Sequence, residues 1–234
     1  MTENGGRPDG RQSRWNEHNA ARRAHILDAA VDLLEEGVPP SDLHVREIAE
    51  RAGLGRPVVY RHFADRADLD RAVQARVLEL MRSEVEAAVR IEGSIDEIIF
   101  RIVSAYVGWA AAHPTLHRAA VSEQGAGATQ LDHTVSDIAE SVEQLFTLAL
   151  SLIGVELDEQ DAAILDPLVF GLVGQAFGSV RRWLRRDPMV PDAAGLSRFL
   201  TESIWFQIDG HARARGLELD RTVPLEQLFG NSSS

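Results

Sequence analysis

Apolar residues recur at helical intervals along almost the whole chain, and that single pattern excludes most folds. Ile26, Ala30, Leu33 and Leu34 form one stripe that stops at Gly37 and the Pro39–Pro40 pair. Val45, Ile48, Ala49 and Ala52 repeat it over a shorter span before Gly53. A third short helix opens with Pro57 in its first turn, where a missing N–H costs nothing, and carries Val58, Val59, Tyr60 and Phe63. A long helix then starts near Asp65, with Asp65 or Asp68 as its cap, and runs to about Arg90. Further helices are predicted at roughly 95–112, 115–121, 131–153, 159–186 and 194–215, divided by Pro114, the GAGATQ run, Gly154 and the DPMVPDAAG segment. No alternating strand of useful length occurs. The expected fold is all-α with about nine helices. A three-helix domain at 15–66 is joined by a connecting helix at 67–90 to a larger bundle at 91–220, with tails at 1–14 and 221–234.

Size and composition support this reading. With 234 residues, 44% of them apolar and 26% charged, the chain can bury a large core without covalent staples. Cysteine is absent, which removes disulfides, thiolate nucleophiles and thiolate metal sites and fits a reducing cytoplasm. No apolar run approaches an unbroken membrane span, and the start lacks the apolar stretch of a secretory signal. Neither a membrane partner nor a cofactor is expected. The net charge of −12 argues against a polyanionic partner until its distribution is examined. Residues 1–76 hold 12 Arg against 13 acids, whereas residues 77–234 hold 12 Arg against 23. Only the first third is near balance.

Two short helices separated by a Gly-containing turn match the geometry of a helix-turn-helix. Ala49 permits close approach, and Gly53 can take the left-handed conformation of the turn. The string VREIAERAGLGRPVVYRHFADRADLDRAV at 45–73 resembles the signature of the TetR family of bacterial transcriptional regulators. That resemblance implies a homodimer that binds a palindromic double-stranded DNA operator and releases it when a small-molecule effector enters the C-terminal domain. It further implies that Arg56, Pro57 and Tyr60 meet bases or backbone, that Arg46 reaches a base or a nearby phosphate, and that His62 and Arg66 touch phosphate. Solvated helix charge is the alternative for Arg46 and Arg61, and packing beside the core is the alternative for His62. His44 stands where the family often has a capping Thr, so capping is expected to fall to Ser41 or Asp42, or to be lost. Arg7, Arg11, Arg14, Arg22 and Arg23 could enter a minor groove; a solvated tail is the other reading.

In the C-terminal part, residues 163–184 are apolar around nearly the whole helix circumference and include Gly171, Gly174 and Gly178. Such a helix must be covered on several sides, and the resemblance assigns the contact between protomers to it and to the last helix, with Phe199 and Trp205. Service in the intrachain core alone is the alternative. Phe100, Val103, Tyr106, Trp109 and Phe146 are candidate walls of an effector cavity with a few polar tips, or else plain core. The acidic balance favours a neutral or cationic apolar ligand unless Arg101 or Arg118 points inward. His113 and His117 could ligate a metal with Asp132 or His133, but Pro114 suggests a helix start with His113 as cap, so no metal is expected. Nucleophile elbow, P-loop, dinucleotide fingerprint and metalloprotease motif are all absent, and no enzymatic activity is expected.

Overall fold

The computed structural model describes residues 10–122, 127–152, 154–225 and 227. Among them are nine α-helices and no strand: α1 (Gly10–Glu35), α2 (Val45–Arg51), α3 (Arg56–His62), α4 (Arg66–Ala88), α5 (Ile95–Ala112), α6 (Pro114–Ala120), α7 (Gly127–Leu152), α8 (Glu159–Trp183) and α9 (Ala193–Arg213). The chain divides into two compact units, residues 1–77 and 78–234, the division falling inside α4. Helix α1 already begins at Gly10, inside the stretch expected to be tail.

In the first unit, Ile26, Leu34, Ile48, Val59, Phe63 and Leu69 are buried together. The turn between α2 and α3 follows from Gly53, whose φ of +64° is strained for any residue with a Cβ. There Leu54 N–H donates to Ala49 O at 2.8 Å and Gly53 N–H to Glu50 O at 3.1 Å, which satisfies the last carbonyls of α2 and sets the exit direction. Of the alternatives for the cap of α2, neither Ser41 nor Asp42 supplies it, and His44 makes no side-chain cap bond. Ser41 and Asp42 sit in a 3-10 turn (Pro40–Asp42), and His44 holds the cap position, with Glu47 Oε2 accepting from its N–H at 3.4 Å. The cap of α4 is Asp65, whose carboxylate accepts from Asp68 N–H at 2.7 Å, while Asp68 accepts from Ala64 N–H at 3.0 Å.

In the second unit α5 packs chiefly on α9, and α7 on α8. Residues from 221 onward were expected to be a loose tail; the structure docks their first part instead. Asp96 N–H donates to Arg221 O at 3.1 Å, Leu225 N–H donates to Gly93 O at 3.0 Å, and the Leu225 side chain is buried. This clasp lies over the start of α5, where Ser94 and Glu97 cap each other's backbone N–H at 3.3 and 2.8 Å. Replacing Ser94 with Ala, a loss of the cap hydroxyl only, is expected to cost about 1 kcal/mol of unfolding free energy, measured by urea titration.

Candidate nucleic-acid interface and interior cavity

Helix α3 sorts its residues by one turn of phase. Val59 is fully buried and anchors the helix, whereas Arg56, Pro57, Tyr60 and Arg61 are exposed on the opposite side. Arg56 and Tyr60 are one turn apart, as are Pro57 and Arg61, so four side chains share one outward face. Tyr60 is 43% exposed, unusual for an aromatic residue within a packed unit. Arg46 is exposed and lies 3.6 Å from Glu50 on its own helix. Arg66 is half-buried and held by Asp70 at 2.8 Å, so any phosphate it meets competes with that carboxylate.

The C-terminal end of α3 is fixed from α1. Arg23 Nη1 donates to His62 O at 2.6 Å, and its guanidinium lies 4.1 Å from the centre of the Phe63 ring. The His62 ring is held below the usual histidine pKa, first by burial and then by the charges of Arg22, Arg61 and Arg23 and by His18. Cations from α1 and α3 are thus gathered near His62 at the C-terminal end of α3. Periodicity could not show this grouping, because it depends on the tertiary contact between the two helices. Arg7 lies outside the described residues, as do the side chains of Arg11 and Arg14.

The second unit holds a partly open cavity of about 150 Å³ walled by α4, α5, α7, α8, α9 and the clasp. Of the residues singled out from the sequence, Val103, Tyr106 and Phe146 line it. Phe100 does not: the cavity face of α5 is formed by Ile95, Ile98, Ile99, Ile102 and Val103, and Phe100, next in sequence to Ile99, is rotated to the surface and 39% exposed. Trp109 is buried but lies outside the wall, against the rings of His113 and His117 at 5.7 and 6.5 Å. Phe177, which no pattern singled out, lines the cavity and stacks on Tyr106 at 4.4 Å.

A few polar tips were expected in this wall, and among the described residues it carries one. Tyr106 is the only lining residue with a polar side chain, and its hydroxyl is paired with His117 Nε2 at 2.9 Å. Arg101 donates to the backbone carbonyls of Ala88, Arg90 and Glu92, and Arg118 to Thr115 Oγ1; neither lines the cavity. His113 stands at the cap position of α6, but its side chain makes no cap bond. Among the described residues no group of three His, Asp or Glu could hold a metal ion.

Helices α8 and α9 also present an open apolar face. Leu165, Val169, Leu172, Ala176, Val180 and Trp183 bury one side of α8, while Phe170, Gly171 and Gly178 are exposed. A Cβ on Gly171, Gly174 or Gly178 would meet no atom within 4 Å, so nothing within the chain requires glycine there. Phe199 and Phe206, two turns apart on α9, are each 61% exposed. Trp205 was expected on this face and is instead buried within the chain, its ring 5.8 Å from the Arg221 guanidinium. It shares the inward face of α9 with Thr201 and Ile208, about 100° away from Phe206. By length and composition α8 is long and apolar enough to cross a membrane, the one such helix among the described residues.

Comparison with known proteins places these features. The family described as bacterial regulatory proteins, tetR family, matches residues 26–73, from the middle of α1 into α4. An uncharacterized HTH-type transcriptional regulator of Mycobacterium tuberculosis is 26% identical over 220 residues, covering 92% of this chain and 90% of that protein. The HTH-type transcriptional repressor LfrR of Mycolicibacterium smegmatis is 39% identical over 82 residues, 35% of this chain and 41% of that one. A tetR-family transcriptional regulator from Streptomyces coelicolor superposes with a TM-score of 0.62 at 19% identity, over 90% of this chain and 87% of that one.

The buried pair makes stability depend on pH. Burial first, then the charge of Arg181, lowers the His117 pKa from 6.5 to about 4, so the fold holds it neutral. An unfolded chain takes up the proton near 6.5. The stabilisation is therefore complete above that value and is lost as pH falls toward about 4. Urea titrations at about pH 7 and pH 4 should show the wild type losing on the order of 2–3 kcal/mol more than His117→Gln, which carries no titrating ring.

Proposed function

Because the chain belongs to the TetR family of bacterial transcriptional regulators, we propose that it acts in the cytoplasm as a repressor, a homodimer on a palindromic operator, released by a small apolar molecule. The observation that carries this reading is the outward row of Arg56, Pro57, Tyr60 and Arg61 on a helix anchored by Val59. Arg56 pairs with guanine, Pro57 and Tyr60 pack on a thymine methyl or the sugar-phosphate chain, and Arg46 reaches a base or a neighbouring phosphate. His62 and Arg66 hold phosphates at the end of α3 and the start of α4. Relatives named as transcriptional regulators and a repressor support the assignment over an enzymatic one. Removing Arg56 should cost about 1–3 kcal/mol on the selected operator and much less on random duplex. Removing Arg66 should weaken both alike and flatten the salt dependence. Fluorescence anisotropy on both DNAs checks the contrast, and equal losses for Arg56→Ala would take the reading role from it.

The open face of α8 and α9 is the surface by which two copies associate. Two exposed phenylalanines two turns apart and three glycines without neighbours fit helices approached closely by another helix pair. One unit reads one half-site, so operator affinity requires the pair. Phe199→Glu should therefore sediment as a monomer at micromolar concentration and bind the operator at least about tenfold more weakly, with an unchanged helical spectrum. A monomeric wild type would refute the arrangement.

The apolar cavity is the effector site in this reading. Filling it favours the state of the dimer that fits the operator poorly, by the ligand's difference in affinity for the two states and no more.

A further inference from the structure

The arginines of the first unit divide by what holds them. On α2 and on α4 as far as Arg76 each has a carboxylate: Arg46 meets Glu50, Arg51 meets Glu36, Arg66 meets Asp70, Arg71 meets Asp68 and Arg76 meets Asp28. On α1 and α3, among the described residues, Arg22, Arg23, Arg56 and Arg61 have no acidic partner. Arg56 stands at the start of α3. The other three lie together at its far end, where Arg23 is already committed to His62 O and to the Phe63 ring. That leaves Arg22, half-buried, and Arg61, exposed, with exposed His18 one turn before Arg22 on α1.

These groups are close enough for the charges of Arg22 and Arg61 to act on the same His62 ring. Cations held together without a counter-charge repel, and among the described residues no carboxylate offsets this pair. Duplex DNA relieves the repulsion best, because it is a polyanion that releases its own counter-ions on contact. The outward row of α3 gives the placement. A recognition helix meets base edges with its N-terminal residues, in a groove roughly 12 Å wide that a sugar-phosphate strand bounds on each side. Arg61 stands five residues beyond Arg56 in that row, roughly 7–8 Å further along the helix, which brings it toward the bounding strand. Arg22 is set beside the same end because its neighbour Arg23 ties α1 to His62.

We infer that Arg22 and Arg61 form a phosphate clamp, one guanidinium from α1 and one from α3, that grips the sugar-phosphate strand at the C-terminal end of α3. This rests on α3 being the helix that reads DNA. It brings α1 into the interface through the strand rather than through the minor groove. The clamp carries no sequence information; it holds the register in which Arg56 and Tyr60 read.

A labelled duplex of mixed sequence, titrated with the full chain by fluorescence anisotropy, tests the clamp through its salt dependence. Each phosphate contact contributes a slope of about 0.9 to log Kd against log salt, so between about 50 and 200 mM salt the wild type should lose about three- to fourfold more affinity than Arg22→Gln or Arg61→Gln. Arg22→Lys, which keeps the charge, should keep the wild-type slope, and so should Arg76→Gln, whose arginine is held by Asp28. Duplexes made only of A·T or only of G·C pairs should show the same loss for Arg22→Gln. A loss confined to A·T pairs overturns the clamp in favour of insertion into the minor groove. An unchanged slope in both glutamine variants overturns it while leaving α3 as the reader, provided Arg56→Ala still separates the selected operator from random duplex. Equal flattening in Arg76→Gln overturns it as well, since any arginine would then serve. A wild type that binds no duplex overturns the DNA reading and the clamp with it.

Discussion

The hydrogen bond between Tyr106 and His117 governs the second unit. A tyrosine hydroxyl and an imidazole buried to 3% and 1% exposure would each be costly without a partner, and each is the other's partner at 2.9 Å. The bond ties α5 to α6 across the bend at Pro114 and, together with the packing of α5 on α9, sets the rotation of α5 about its axis. Once that rotation is fixed, Ile98, Ile99, Ile102 and Val103 must face inward and Phe100 outward. It also draws the only hydroxyl of the wall toward α6, so the cavity is bounded by hydrocarbon. Burial beside the charge of Arg181 keeps the histidine neutral, and neutrality lets it sit there without an anionic partner.

The first unit rests on a different constraint, a short glycine turn. Because Gly53 and Leu54 close α2 with one backbone bond each, the direction in which α3 leaves is set first by the main chain. Val59 and Phe63 then need only anchor one side of a seven-residue helix, and its other side is free to carry Arg56, Pro57 and Tyr60. Arg23 completes the arrangement by occupying the carbonyl of His62 while its guanidinium covers Phe63, so one arginine serves both the end of α3 and the core.

These two constraints explain what the sequence disclosed. Gly53, Pro57 and the stripe around Val59 carry their geometry locally, so the helix-turn-helix and its outward residues were legible, and so were the positions of α5, α8 and α9. Facing was not. One residue along a helix turns the side chain by about 100°, and the choice between Phe100 and Ile99, or between Trp205 and Phe206, depends on which neighbour packs nearby. The clasp of Arg221 and Leu225 over α5 was hidden for the same reason: its bonds are main-chain bonds to residues far away in the chain. Phe177 carried no separate signal because any apolar residue of α8 would have suited the pattern equally.

Apolar wall that nothing packs against costs stability, and the cavity of about 150 Å³ is lined almost wholly by such wall. A chain selected for stability alone would fill it with larger side chains along the wall, at several positions such as Val103 and Val173 together. A ligand that occupies the space recovers packing against that wall without needing any polar contact in it. Recovered packing alone confers no control, because an occupant that fits two conformations equally well shifts neither. In the proposed function, control requires the cavity to differ between the state that fits the operator and the state that does not. The five helices and the clasp around it supply the means, since a change in the packing of any one of them alters the space that the ligand must fill.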